Sequence, residues 1–196
     1  MSKSPYEDQA KRAKDWLAAL RPRQIDGRIL PGDRAALARL KRASSVMEAA
    51  AEPATAHLFE MLFSAQLKEA KSRDGFIQVH LPRAAVIAAV LAHVGDPRPE
   101  TMARAIGTPR SGGDGSTPLV TPLRLKRLLA ARDPDDVLIQ FRRTVAILGH
   151  QANVTDLAQQ LLAWTDDERG DLTRTRFAFD YHGAEAYAPD ASAATV

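Results

Sequence analysis

The chain has 196 residues, with 27 lysines and arginines against 24 aspartates and glutamates, and a formal net charge of +3. It contains no cysteine, which excludes disulfides, thiolate zinc sites and cysteine nucleophiles. Alanine and leucine are abundant and aromatic residues make up only 6%, a composition that favours an all-α protein. Because no apolar run reaches transmembrane length and the first 14 residues lack a signal peptide's apolar core, we expect a cytoplasmic protein without membrane contact.

Charge is unevenly distributed along the chain. Residues 1–43 carry a net charge of +6 and residues 101–143 carry +4, whereas residues 44–100 carry −2 and residues 144–196 carry −5. Two basic blocks separated by acidic ones favour a surface that binds a polyanion. Ordinary solvated helix faces are the alternative interpretation, and charge alone does not choose between the two.

The first half of the chain predicts a series of helices. They are expected at about residues 5–20, 34–51, 53–70, 82–94 and 100–106, with a loop over 21–32 and a connection or short extended piece over 76–81. On the second helix Arg34, Lys41 and Arg42 fall on one face, opposite an apolar stripe, with Arg39 beyond them. We call these four residues the cationic ridge. It is a candidate polyanion site, and a solvated face is its alternative.

A glycine-rich stretch, GTPRSGGDGSTP at residues 107–118, is the best candidate for a domain boundary. We expect an N-terminal helical bundle over 1–111, a C-terminal helical bundle over 112–183 and a disordered tail over 184–196. The stretch is not predicted to be a phosphate loop, because it lacks the lysine-plus-hydroxyl ending and follows no predicted strand.

Residues 121–148 predict a helical hairpin whose two helices meet at 131–134. Thr121-Pro122 and Asp133-Pro134 each place a capping side chain before a proline suited to a first helical turn. This hairpin is rich in arginine and lysine. Its basic residues, the four residues of the cationic ridge and Arg169 together form the candidate nucleic-acid-binding residues. The hairpin members are Arg124, Lys126, Arg127, Arg132, Arg142 and Arg143.

The Arg142-Arg143 pair lies on a helix that is largely apolar on its other faces. A charge on a buried helix needs either an acidic partner or an opening to solvent. We therefore expect one of the two arginines to pair with an acid from the C-terminal segment. The other is expected to share one surface with Arg124 and Arg127.

No catalytic or metal-binding pattern is present in the sequence. The five histidines form no i,i+3 or i,i+4 pair and no HExxH motif, and no serine lies in a GxSxG motif. We therefore predict a protein that is not an enzyme and holds no metal and no cofactor. A binding or assembly role is favoured.

Four segments, taken in order, resemble the CasB family, the small subunit of the type I-E CRISPR Cascade surveillance complex. The most specific features are the Arg142-Arg143 pair and the ending from Trp164 to Asp180-Tyr181. The matching segments are GDRAALARLKRA at 32–43, VIAAVLAHVG at 86–95, the hairpin at 121–148 and DLAQQLLAWTDDERGDLTRTRFAFDY at 156–181. The chain departs from the pattern at Phe177, where the family often has tryptophan, and at His182, which replaces an aromatic residue.

The resemblance implies a fold, partners and a function. The fold would be all-α, with two small bundles joined by the glycine- and proline-rich loop. The protein would have no catalytic activity of its own. Two copies would stack head to tail, in contact with the backbone and large subunits of Cascade. The basic surface would hold the guide RNA–target DNA hybrid and the displaced strand, stabilising the R-loop in antiviral defence. From the residues alone, a helical protein-interaction adaptor and a helix-turn-helix transcriptional regulator stay open as alternatives.

Overall fold

The structure, a computed structural model, describes residues 5–25, 27–109 and 117–186. Helices dominate this part of the chain and the strands are only two or three residues long, so the predicted all-α fold is confirmed. The elements are α1 (Glu7–Leu20), β1 (Arg23–Ile25), β2 (Arg28–Leu30), α2 (Arg34–Arg42), α3 (Val46–Ala50), α4 (Pro53–Glu69), α5 (Arg73–Leu91), β3 (Asp96–Pro97), α6 (Met102–Gly107), α7 (Pro122–Ala130), α8 (Pro134–Ile147), β4 (Gln151–Ala152), α9 (Val154–Trp164) and α10 (Gly170–Ala186).

Three local predictions for the first half are wrong. Within the segment expected to be a loop, β1 and β2 pair as antiparallel strands. The single helix expected over 34–51 is two helices, because Ser45 accepts a hydrogen bond from the Glu48 backbone N–H and so starts α3. Residues 76–81 are helical, since α5 starts at the Ser72 cap and continues through Pro82.

The error at residues 76–81 has a clear physical cause. Ile77, Val79 and Leu81 alternate as they would in a strand, but Ile77 and Leu81 are also four apart and share one helical face. Both pack against the core from α5. Pro82 removes one backbone hydrogen bond from the helix, and the helix continues because its next turns are fixed by the core.

The core is organised around the second half of α5. Every residue from Ala84 to Leu91 is buried, in one apolar cluster that also includes Trp16 of α1 and Trp164 of α9. By length and composition α5 could span a membrane, a test that a buried core helix also passes. Helix α1 packs on α9 and α5 packs on α8, so both predicted bundles contribute to one buried cluster.

The predicted division into residues 1–111, 112–183 and a tail stays a prediction. Most of the proposed boundary, residues 110–116, lies outside the described residues. Helix α10 continues to Ala186, three residues into the segment expected to be a tail. The rest of that segment, 187–196, also lies outside the described residues.

Acidic side chains from the second half of the chain cap helices of the first half. Asp135 in α8 accepts a hydrogen bond of 2.5 Å from the backbone N–H of Val46, the first residue of α3. Asp156 in α9 accepts one of 2.7 Å from the backbone N–H of Met102, the first residue of α6. The cap of α8 itself is Asp133. These bonds fix α3 and α6 in place at their otherwise unpaired N-terminal amides.

Candidate nucleic-acid interface

Three of the predicted binding residues line one groove between α7 and α8. They are Arg124 and Arg127 of α7 and Arg143 of α8, and the groove has a volume of about 300 Å³. We call it the arginine groove. Its other lining residues are Val120, Gln140, Thr144, Ala146 and Ile147.

The local sequence explains how α7 presents its arginines. Arg124 and Arg127 are three residues apart and therefore lie on the same side of the helix. Leu125 and Leu128 are buried in the core, which turns the arginine side towards solvent. The expected sharing of one surface by Arg124, Arg127 and one residue of the Arg142-Arg143 pair is thus confirmed as geometry.

The arginines of the groove are not neutralised by any acid in the part of the chain that the structure describes. Arg124, Arg127 and Arg143 are all exposed. None of the three forms an ion pair with any residue in the described part of the chain. Three like charges around one groove favour an anionic ligand, and the planar guanidinium suits the bidentate recognition of phosphate.

Arg142, the neighbour of Arg143, points into the protein. Its Nη2 donates to the Leu40 carbonyl at 2.8 Å, its Nη1 to the Ala43 carbonyl at 2.5 Å and its Nε to the Ala89 carbonyl at 3.3 Å. Burial lowers the pKa of Arg142. One arginine of the pair is therefore internal, as expected.

The expected acidic partner of the internal arginine is wrong. Leu40 and Ala43 lie at the end of α2, where the last carbonyls of a helix lack intrahelical partners and carry partial negative charge. These carbonyls accept from Arg142 in place of a carboxylate. Arg142 thereby ties the cationic ridge on α2 to α8.

The cationic ridge divides into free and paired residues. Arg34, Lys41 and Arg42 are exposed and form no ion pair with a described residue. Arg39 donates to Glu52 Oε2 at 2.7 Å. Three of the four ridge residues are therefore open to a ligand, and Arg39 would first have to leave Glu52.

The remaining predicted residues lie apart from the arginine groove. Lys126 and Arg169 are exposed and do not line the groove. Arg132 pairs with Asp171 Oδ1 at 2.9 Å and donates to the Leu129 carbonyl at 2.8 Å. The structure thus brings together three of the eleven predicted residues in the groove and leaves three more exposed on α2.

The arginines with structural roles that were not predicted include Arg174 and Arg83. Arg174 of α10 is only 8% exposed, donates to the carbonyls of Ala131 and Trp164 at 3.1 Å each, and lies over the Trp164 ring. Arg83 of α5 donates to the Leu162 carbonyl at 2.7 Å. The signal for Arg174 was its spacing, because it lies three residues before Phe177 and seven before Tyr181, on the apolar stripe of α10.

Metal chemistry has no basis in the described residues, among which no group of three or more histidine, aspartate or glutamate side chains could hold an ion. Fold and surface together define an all-α protein with a basic groove and a basic ridge. The family model described as CRISPR-associated protein Cse2 matches residues 36–182, more than half of the chain. The chain belongs to this family, whose members are Cascade subunits in CRISPR defence.

A solved structure agrees with the family assignment. The crystal structure of CasB from Thermus thermophilus matches with a TM-score of 0.59 and 25% sequence identity, over 92% of this chain and 99% of that one. No curated protein matches the chain. The resemblance inferred from the four sequence segments is therefore confirmed.

Proposed function

We propose that this chain is a non-catalytic Cascade subunit that binds nucleic acid through the arginine groove and the cationic ridge. In the cytoplasm it would hold the guide RNA–target DNA hybrid and the displaced strand, stabilising the R-loop. The observation that carries the proposal is the groove, where Arg124, Arg127 and Arg143 meet on one surface without an acidic partner among the described residues.

The energetics of R-loop formation suit such a surface. Exchanging a DNA duplex for an RNA–DNA hybrid is close to balanced, so contacts to the backbone can tip it. Arginines on rigid helices position phosphates without reading the bases. Both tryptophans, Trp16 and Trp164, are buried and cannot provide a platform for base stacking. Binding should therefore be electrostatic and independent of sequence.

Exposed apolar side chains support contacts with other protein subunits. Met47 is 82% exposed beside an apolar groove of about 420 Å³ formed by α3, α5 and the start of α8. Phe179 on α10 is 77% exposed. Such surfaces are typical of protein interfaces. The family resemblance suggests which partners these would be: the backbone and large Cascade subunits and a second copy stacked head to tail.

The central test replaces Arg124, Arg127 and Arg143 together by alanine in the assembled complex. R-loop formation on a matched target is measured as a function of salt. Losing three phosphate contacts should reduce the salt slope of log affinity by about 2 to 3 and weaken binding by roughly 100-fold at 0.1 M salt. The melting temperature of the subunit should not change, since all three side chains are exposed.

A matched control removes charge elsewhere. Lys68 and Arg73 are exposed, unpaired with any described residue and not part of either basic surface, so their double alanine variant should behave like the wild type. Replacing Lys41 and Arg42 should weaken binding by about tenfold without affecting folding. Wild-type R-loop formation in the groove variant would refute the proposal, and in the ridge variant it would assign the ridge to solvation.

A further inference from the structure

Two neighbouring cavities form one continuous channel along the exposed side of α5. One is the apolar groove of about 420 Å³ beside Met47, and the other is a cavity of about 410 Å³ between α5, α9 and α10. Both are lined by Gln78 and Pro82 of α5 and by Pro134 at the start of α8. Because the cavities share these three residues, a single ligand can extend from one into the other. We call the two together the α5 channel.

Exposed apolar side chains line both parts of the channel. Met47 of α3 is 82% exposed in one part, and Val79 of α5 is 57% exposed in the other. Ile77 and Leu81, which are partly buried against the core, line the groove beside Met47. Apolar side chains that are grouped in a groove, rather than scattered singly, indicate a surface that another molecule covers.

The arginines that line the channel already have acceptors within the protein. Arg83 lies 3.5 Å from Asp166, and Arg132 lies 2.9 Å from Asp171. Arg174 donates to two backbone carbonyls at 3.1 Å each and lies 3.5 Å from Asp171. These contacts also give Asp166 and Asp171 cationic partners. An anionic ligand would therefore have to displace an existing partner from each arginine.

Three other acids of the channel have no cationic partner in the described part of the chain. They are Asp133 and Asp135 beside the apolar groove and Asp167 in the second cavity. Asp133 and Asp135 accept hydrogen bonds from backbone N–H groups at the starts of α8 and α3. A helix N-terminus carries only about half a positive charge, so negative charge remains. Asp167 is exposed. The charge open to a ligand in the channel is therefore negative.

We propose that the α5 channel docks a different protein subunit of the complex, through a segment that carries apolar side chains beside lysines or arginines. The inference rests on the proposed function for the presence of those subunits. An amphipathic segment in an apolar groove is a recurring mode of recognition. Its apolar side chains would cover Met47 and Val79, and its cations would face Asp133, Asp135 and Asp167. Like charge disfavours nucleic acid here, in contrast to the arginine groove.

The test assembles the complex with guide RNA and without target DNA, and titrates this chain into it. Incorporation is measured by pull-down through a tag on another subunit. Met47→Asp should weaken incorporation about tenfold, the effect of losing an apolar anchor. Asp167→Lys should weaken it about threefold to tenfold, and this loss should shrink at about 1 M salt. Both residues are exposed, so the melting temperature should not change.

Matched controls make the same changes outside the channel. Ile29→Asp and Glu60→Lys alter exposed residues that do not line it, and both should incorporate like the wild type. Equal losses in the control and channel variants would contradict the proposal. Stronger incorporation of Asp167→Lys would also contradict it, since the partner would then be acidic.

Further outcomes separate this proposal from the function on which it rests. Wild-type incorporation of Met47→Asp and Asp167→Lys would overturn the channel proposal, whatever the arginine-groove variant does. Normal R-loop formation by the arginine-groove variant, together with poor incorporation of the channel variants, would overturn the nucleic-acid role alone. If the isolated chain self-associates in analytical ultracentrifugation and Met47→Asp abolishes this, a second copy occupies the channel and the proposal is wrong.

Discussion

Two arginine-lined regions of this molecule differ in what the arginines contact. In the arginine groove, Arg124, Arg127 and Arg143 are exposed and meet no acid among the described residues. Between α5, α9 and α10 lies a second cavity, of about 410 Å³, in which arginines and aspartates are mixed. We call it the arginine–aspartate cavity. Its charged lining residues are Arg83, Arg132, Arg174, Asp166, Asp167 and Asp171.

Each arginine of the arginine–aspartate cavity has acceptors within the protein. Arg83 lies 3.5 Å from Asp166, which also accepts a hydrogen bond of 2.7 Å from the Tyr6 hydroxyl. Burial, with Asp166 adding to it, raises the pKa of Tyr6 to about 12. Burial also acts to raise the pKa of Asp166, but the hydrogen bonds it accepts and the charge of Arg83 outweigh this and lower it.

The comparison shows that arginine content alone does not identify a binding surface. Both regions contain three arginines, and what separates them is whether the protein itself provides the acceptors. A guanidinium that donates to carbonyls and carboxylates stabilises the fold. One without such acceptors is available to a ligand. The following substitutions test this distinction.

The largest expected effect is on folding, from Arg174→Met. This change removes the donor to the Ala131 and Trp164 carbonyls and the contact over the Trp164 ring. Unfolding free energy from urea denaturation should fall by about 3 kcal/mol. Arg176→Met, an exposed neighbour on α10, should change it by less than about 0.5 kcal/mol. Equal stability of the two variants would remove the structural role assigned to Arg174.

A second test measures how stability changes at acidic pH. It concerns His93, whose pKa is affected by the internal Arg142. Burial and the charge of Arg142 lower the pKa of His93 to about 4, whereas an unfolded histidine titrates near 6.5. As the pH falls, His93 therefore becomes protonated in the unfolded chain before it does so in the folded protein. The free energy of unfolding should decrease as the pH falls from about 6.5 to about 4. The loss from this residue should be about 2 to 3 kcal/mol.

His93→Gln should abolish that part of the pH dependence, and His57→Gln, at an exposed position, should leave it unchanged. Urea denaturation at pH 7 and pH 4.5 provides the measurement. If the wild type and His93→Gln lose the same stability on acidification, His93 does not stay neutral beside Arg142.

The smallest expected change in stability, and the most direct contrast, comes from neighbouring residues on α8. Arg142→Ala should cost about 2 kcal/mol of unfolding free energy, because three carbonyls lose their donor. Arg143→Ala should cost less than about 0.5 kcal/mol but weaken nucleic-acid binding about fivefold to tenfold. Melting temperature and salt-dependent binding are measured for both. A reversal of the two effects would contradict the division between internal and groove arginines.

Helices with local signals were predictable. Pro53 and Pro122 occupy the first turns of α4 and α7, and Asp133 caps α8 through its side chain. Each of these signals acts within one turn, so periodicity and capping residues suffice to find it. The β-hairpin was missed because an exposed ribbon shows no apolar alternation against a core. Its turn glycine, Gly27, was its clearest signal.

By itself, the sequence determined the helical fold, the family and the clustering of basic residues, because composition, periodicity and motif order are properties of the chain. Only the tertiary structure decided whether each charged side chain bonds within the protein or faces solvent. Arg142 and Arg143 are adjacent, yet about 100° of helix rotation sends one to α2 and the other to the groove. The carbonyl of Leu40 that holds Arg142 lies 102 residues away along the chain. No local pattern reports such a partner, since it exists only when α2 packs beside α8.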